Sequence, residues 1–485
     1  MPDSTSPKTP LLSVLMPVYN EARTLRTIVG RVLASPVALP IELICVDDGS
    51  RDRSVEILEA LAARDPRIRV FRQPQNMGKG AAIRAAIGHM RGDIGVIQDA
   101  DLEYDPNDYP ALVAPIVEGR ADAVFGSRFA SASQRKILLY WHGVANRFLT
   151  WMTNVLNDIN LTDMETCYKA VRADILKATP LHSDRFGIEP ELTTRLAQWN
   201  IRLYEVPISY HGRTVAEGKK IGWKDAFSAV WTLLKYRWID DRFTTHDGYY
   251  VLQSMRRARG LNRWVLAQFE PYLGARVLEA GCGIGSFTEL LLDHERLVCV
   301  DNDPLYVEML NWRLGHLENV SIAQFDLADT AAYARLAPER IDTIVCLNVL
   351  EHIASDEAVL RAYYDLLEPG GHAIVLVPAN PALYSPTDEA IGHHRRYTRV
   401  ELHAKLQAAG FELVKLDEFN RLGTIGWKLN KWLGRRDVSP RQMRTFEWLL
   451  PVAKGMESLK IGSGLSLIAV GRKPKTNPSS LILNR

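Results

Sequence analysis

Apolar positions in the first hundred residues follow two alternating periods. Short, largely apolar runs at 12–16, 41–46, 68–72 and 94–98 read as strands. Between them, stretches at 21–33, 54–63 and 79–90 repeat their apolar positions at helical spacing. This alternation predicts a mostly parallel sheet covered by helices, with ligands bound beyond the carboxyl ends of its strands. After Ile208 the pattern changes. Two amphipathic stretches stand out, 137–156 and 223–238. In the second, Trp223, Phe227, Val230, Trp231, Leu234 and Trp238 recur at helical spacing, with Lys219, Lys220, Lys224, Lys235 and Arg237 around them. The pattern describes either a packed surface helix or a basic-aromatic face lying on a membrane. A charged junction at 239–250 precedes a second αβ series. It has a helix at 261–269, a strand at 276–278, a glycine loop leading into a helix, and strands at 297–300, 341–346, 372–377 and 465–470. The expected organisation is a disordered tail (1–10), an α/β domain (11–240), a linker (241–260), a second α/β domain (261–475) and a tail (476–485).

A chain of 485 residues is too long for one ordinary core, which agrees with two domains. With 47% hydrophobic residues, 24% charged residues and a net charge of +2, there is no global reason to expect nucleic-acid binding. No apolar run approaches the roughly 18–20 residues that cross a bilayer. The five cysteines are scattered, odd in number and never in CxxC spacing, so a disulfide framework is not expected. A reducing cytoplasm is the simplest compartment, with the amphipathic stretches offering a peripheral place on the inner face of the membrane.

Candidate chemistry falls at the strand ends. Asp99 and Asp101 stand two residues apart after the fourth strand, a spacing of hard oxygen donors that suits Mg²⁺ or Mn²⁺. Asp47 and Asp48 end the second strand and suit a base edge and ribose. Gly78-Lys79-Gly80 places flexible backbone and a cation at a helix start, suited to phosphate.

Together these pieces resemble family 2 glycosyltransferases, particularly the dolichyl-phosphate mannose synthase-like branch. The matching segments are Pro17-Val18-Tyr19-Asn20-Glu21, Val46-Asp47-Asp48-Gly49-Ser50, Asn76-Met77-Gly78-Lys79-Gly80, Gln98 to Pro106 and Gly126-Ser127-Arg128-Phe129. The resemblance implies a GT-A fold, a nucleotide-sugar donor, inversion at the anomeric carbon, metal ligation by Asp99 and Asp101 with Glu103 as a further ligand, and nucleotide contact by Asp48. Pro17, Tyr19, Glu21 and Arg128 belong to the same donor-side set. A basic loop with Arg213, Lys219 and Lys220 resembles the family's phosphate-handling loop and favours a polyprenyl-phosphate acceptor, with a glycan as the other choice. A sugar hydroxyl would need a general base, for which Glu189 and Glu191 are the candidates beside Asp101.

In the second half, Glu279-Ala280-Gly281-Cys282-Gly283-Ile284-Gly285 follows a strand, and Asp301 ends the next one. The glycines allow close backbone approach to a ligand, and the acid suits both ribose hydroxyls. The GxGxG spacing differs from the GxGxxG of dinucleotide folds. This half resembles Rossmann-like class I methyltransferases that use S-adenosyl-L-methionine. The resemblance implies cofactor contacts by Glu279, Gly281, Gly283, Gly285, Asp301, Asp326 and Asn348. His352 is a candidate base. His393, His394, Arg395, Arg396 and Tyr397 suit an anionic or sugar-like acceptor, or form an exposed basic helix start. The expectation is therefore a bifunctional enzyme that glycosylates a lipid-phosphate or glycan acceptor and methylates a related one. The alternatives are one half that only binds, or two pathway enzymes fused.

Overall fold

A computed structural model describes residues 9–130, 140–212, 223–238, 252, 255–256, 258–433 and 440–475. The chain divides into two compact units, Met1–Phe243 and Thr244–Arg485.

The first unit is built on seven strands: β1 (Leu12–Val18), β2 (Ile41–Asp47), β3 (Ile68–Arg72), β4 (Ile94–Ile97), β5 (Ala123–Ser127), β6 (Lys169–Arg172) and β7 (Leu203–Pro207). Their order is β3-β2-β1-β4-β6-β5-β7. The pairs β2–β3, β1–β2, β1–β4 and β5–β7 are parallel, while β6 runs antiparallel to both β4 and β5. Helices cover both faces, so β2 is buried along its whole length, Glu42 and Asp47 included. The first helix, expected from residue 21, begins at Leu25. The reason lies in the neighbouring loop. Asn20 takes a left-handed conformation, and the Ser50 and Ser54 hydroxyls accept the amides of Asn20 and Glu21, which holds this turn out of the helix.

The second unit has β8 (Arg276–Ala280), β9 (Arg296–Asp301), β10 (Val320–Gln324), β11 (Thr343–Leu347), β12 (His372–Pro378), β13 (Glu412–Phe419) and β14 (Ser466–Arg472), in the order β10-β9-β8-β11-β12-β14-β13. Only β14 runs antiparallel to its neighbours. Two apolar layers fill the space around this sheet, one containing Leu278, Ile344 and Tyr363, the other Val277, Leu310 and Ile374. The α-helix expected after the glycine loop is instead a short 3₁₀ turn, Thr288–Leu290. Gly281, Gly283 and Gly285 all take positive φ, and Thr288 donates its hydroxyl to Glu279 at 2.5 Å, so the chain is tied down before a helix can propagate.

Both sheets reverse their winding at one place. In the first unit the order turns between β1 and β4, in the second between β8 and β11. Such switch points open a crevice at the strand ends. Asp47 and Asp99 lie beside the first, and the glycine loop and Asn348 beside the second.

Candidate active sites

In the first unit the loops after β1, β2 and β4 are laced together. The Asn20 side chain accepts from Arg51 N at 2.7 Å. The Thr24 hydroxyl lies 2.9 Å from the Ala100 carbonyl and 3.1 Å from the Glu21 carboxylate. Pro17 pairs with Val46 across the sheet, and Tyr19 follows the end of β1. Gly49 is demanded by close approach, because a Cβ there would lie 2.7 Å from Asn76 N.

The two acids after β2 have different surroundings. Asp48 receives the amides of Met77 and Gly78 at 2.7 and 2.9 Å, while burial raises its pKa. It closes the 76–80 loop, which a nucleotide-contacting role did not foresee. Asp47 spends Oδ2 on the amides of Gly49 and Ser50, and its buried Oδ1 has no hydrogen-bond partner. Asp47 is thus the acid with an acceptor to offer.

Around β4 the charges are dense. Lys79 Nζ lies 2.8 Å from Asp99 Oδ1 and 2.8 Å from Glu189 Oε1. Burial opposes the ammonium charge, yet Asp99, Cys167 and Glu189 hold its pKa well above the usual lysine value. Asp101 accepts from Glu103 N at 3.0 Å, and Glu103 accepts from the Tyr210 hydroxyl at 2.7 Å. The donor chemistry of Asp99 and Asp101 fits a hard divalent cation. The positive charge now beside Asp99 is the Lys79 ammonium.

The structure separates the other candidates. Glu191 is fully buried and gives both oxygens to backbone, His182 N at 2.8 Å and Ser183 N at 2.6 Å, so it holds a turn and cannot serve as a base. Glu189 keeps a buried Oε2 without a hydrogen-bond partner. Arg128 grips Asp163 through two bonds of 2.6 and 2.7 Å and stacks over Tyr210. Asp163 carried no sequence signal. Arg213, Lys219 and Lys220 lie outside the described residues.

In the second unit Gly281 sits at φ +80°, where a Cβ would fall 2.3 Å from Val349 Cγ2. Asp301 accepts from Gly283 N at 2.7 Å and Asp303 N at 3.0 Å, and burial raises its pKa. Glu279 is buried, and that burial pushes its pKa up to about 8. Asp326 is exposed just after β10 and accepts from Ala328 N. Asn348 ends β11 in a left-handed conformation, its amide on Leu376 O at 2.8 Å. A glycine-lined loop with two acids on adjacent strand ends fits a ligand carrying a cationic centre and a ribose.

The basic stretch 393–397 is folded inward. Arg396 is buried, bonded to Asp388 at 2.9 Å and to the Ala379 carbonyl at 3.1 Å, and it stacks 4.6 Å from the Trp427 ring. Tyr397 is buried with its hydroxyl on Asp356 at 2.8 Å. Arg395 pairs with the same Asp356 at 2.9 Å. These partners assign Arg396 and Tyr397 to holding the loop, not to meeting an acceptor. His352 and His394 are exposed, the latter with its amide on Glu351 O, while the His393 side chain is buried. Burial and His393 hold the pKa of His352 down at about 4. Asp388, the anchor of this loop, was readable as the fourth residue of the capping box Ser385-Pro386-Thr387-Asp388.

Comparison with known proteins agrees with both halves. Residues 13–179 match the model of glycosyl transferase family 2, and residues 253–416 match a methyltransferase domain. Undecaprenyl-phosphate mannosyltransferase of Micrococcus luteus is 31% identical over 219 residues, 43% of this chain and 86% of that protein. Dodecaprenyl-phosphate galacturonate synthase of Rhizobium johnstonii is 28% identical over 205 residues, and the chain spans only 59% of its length. Glucosyl-3-phosphoglycerate synthase from Mycobacterium tuberculosis, solved with Mn²⁺, UDP and phosphoglyceric acid, matches with a TM-score of 0.37 and 22% identity over 48% of this chain and 80% of that one. The chain belongs to glycosyltransferase family 2 and is a transferase of two parts, a family 2 glycosyltransferase half followed by a methyltransferase domain.

Proposed function

We propose that the first unit transfers a sugar from a nucleotide-diphosphate donor to a polyprenyl phosphate, and that the second methylates a related lipid-linked or glycan substrate with S-adenosyl-L-methionine. The lipid acceptor rests on one observation. Helices Tyr140–Asn157 and Trp223–Trp238 pack on each other through Leu149, Ala229 and Leu233, yet turn Trp151, Trp231 and Trp238 outward at 60–70% exposure. Large exposed aromatics on amphipathic helices suit a membrane surface. No helix among the described residues is long and apolar enough to cross a membrane. The names of the relatives point to the same acceptor class. In the second unit Trp432 and Trp448 are also strongly exposed, which suits a substrate that stays near the lipid.

In this reading Asp47 offers its unpartnered oxygen to the nucleoside, and Asp99 and Asp101 hold Mg²⁺ or Mn²⁺. When bound, that cation neutralises the departing diphosphate. A phosphate acceptor is already an anion and needs no deprotonation, which removes the need for Glu191. Lys79 and Glu189 set the charge balance beside Asp99. In the second unit Gly281 to Gly285 and Asp301 hold the methyl donor, which supplies a sulfonium-bound methyl when present. The chain's own task is to align the acceptor in line with that methyl. His352, kept neutral, offers a ring nitrogen to an acceptor proton. Incubation with nucleotide-sugars, polyprenyl phosphate, Mn²⁺ and labelled S-adenosyl-L-methionine tests both halves. Sugar-lipid formation supports the first, and transfer to water-soluble acceptors alone would overturn the lipid assignment.

A further inference from the structure

We infer that Glu351, His352 and His393 form a divalent-metal site in the methyltransferase unit, suited to Zn²⁺ or a similar borderline cation. Among the described residues these three bring ligand atoms within 4.8 Å of one another. The second observation is Glu351 itself. It is 0% exposed, and neither carboxylate oxygen has a hydrogen-bond partner. A buried carboxyl left this way either keeps its proton or is answered by a cation. His393 Nε2 lies 3.7 Å from Oε1.

His393 is already oriented for ligation. Its Nδ1 lies 2.9 Å from Asp388 Oδ1, the carboxylate–imidazole arrangement that fixes the tautomer and turns the other nitrogen toward a metal. Asp388 is held in turn by Ser385 and Arg396. The His352 ring stands 4.7 Å from that of His393 at 77°, so the two rings converge without stacking. Gly392, at φ +80°, allows this approach. One carboxylate and two imidazoles form the three-ligand set of an open zinc site, with a position left for a further oxygen. Imidazole donors also disfavour Mg²⁺ and Ca²⁺.

The placement gives the site a use. Glu351 lies two residues beyond Val349, whose side chain packs on Gly281 of the glycine loop. The open position therefore sits at the same strand ends as the proposed methyl donor, where a hydroxyl-bearing acceptor would fill it. A cation held there would acidify a bound hydroxyl, whose proton would leave to solvent, and His352, engaged with the cation, would then be a ligand and not the base. This use rests on the methyl-transfer reading; the metal site does not.

The test uses the full chain, stripped with a chelator, loaded with Zn²⁺ and passed through gel filtration, with S-adenosyl-L-methionine binding measured on the same samples. One equivalent of Zn²⁺ is expected, unchanged in the Asp99→Ala/Asp101→Ala double variant and lost in Glu351→Gln and His393→Ala. Asp388→Asn should weaken it by about 10–100-fold. Because Glu351 and His393 are buried, His352→Ala, on the exposed side, is the check against simple misfolding, and it too should lose the ion. Co²⁺ loading should give a visible absorption band that disappears in the same variants. Folded chain that binds the methyl donor but no Zn²⁺, or Zn²⁺ retained in all three ligand variants, overturns the proposal while leaving the methyl-transfer reading standing.

Discussion

Lys79 is held between Asp99 and Glu189, its Nζ 2.8 Å from an oxygen of each. One ammonium therefore balances a carboxylate at the β4 end and another on the helix Ile188–Trp199. Breaking a pair of this kind strands charge in a poorly solvated place. Lys79→Ala should cost the first unit about 2–3 kcal/mol, fewer than a fully enclosed pair because the site is partly open. Sugar transfer should fall with it. Denaturant unfolding of the variant checks the first effect, and a Lys79→Ala chain as stable as the parent would contradict it.

The two activities should separate cleanly. Asp101→Ala should lower sugar transfer by on the order of 100-fold or more and leave methyl transfer near the parent rate. Asp301→Ala should do the reverse. Parallel assays with labelled sugar donor and labelled methyl donor decide this, and joint loss in either variant would mean that the units depend on each other.

The glycine loop offers a sharper contrast. A Cβ at Gly281 would lie 2.3 Å from Val349 Cγ2, whereas one at Gly283 meets nothing nearer than Leu252 at 3.5 Å. Gly281→Ala should abolish S-adenosyl-L-methionine binding by calorimetry. Gly283→Ala carries only the left-handed backbone cost of roughly 1–2 kcal/mol and should still bind, more weakly. Equal loss in both would show that backbone conformation, not the contact with Val349, sets the requirement.

Membrane contact is tested at Trp231 and Trp151. Both are exposed, so Glu in their place should change stability by no more than about 0.5 kcal/mol. Co-sedimentation with anionic vesicles should fall markedly, and sugar transfer to a polyprenyl phosphate in vesicles should fall in step. Vesicle binding that survives the double variant would remove the aromatic face from consideration.

Glu279 predicts a pH dependence. Burial raises its pKa in the folded chain to about 8. A raised pKa means that its contribution is complete below the unfolded value and is lost as pH climbs through the folded one. The melting temperature of the second unit should therefore decline from about pH 5 to about pH 9, and Glu279→Gln should flatten that decline. A parent curve with no slope across this window would place the proton elsewhere.

Much of the molecule was determined by local sequence. The alternation of apolar runs and helical repeats specified two α/β units, since strand and helix periods are properties of consecutive residues. The proposed donor-side sets were legible for the same reason: Asp99 and Asp101, or Gly281 to Gly285, are neighbours along the chain and follow a strand end. Tertiary structure alone decided which side chains remain available. Asp47 and Asp48 look equivalent in sequence, yet only Asp47 keeps an unpartnered oxygen, because the 76–80 loop folds back and its amides take Asp48. Arg128 and Tyr397 look like surface recognition groups until Asp163 and Asp356 arrive from distant segments to bind them, and Arg396 does so until the turn at Asp388 folds back on it. The antiparallel strands β6 and β14 and the cluster of Glu351 with His393 share this origin. Each depends on contacts between residues far apart in the chain, and the energy of such contacts exists only once the sheet has brought them together.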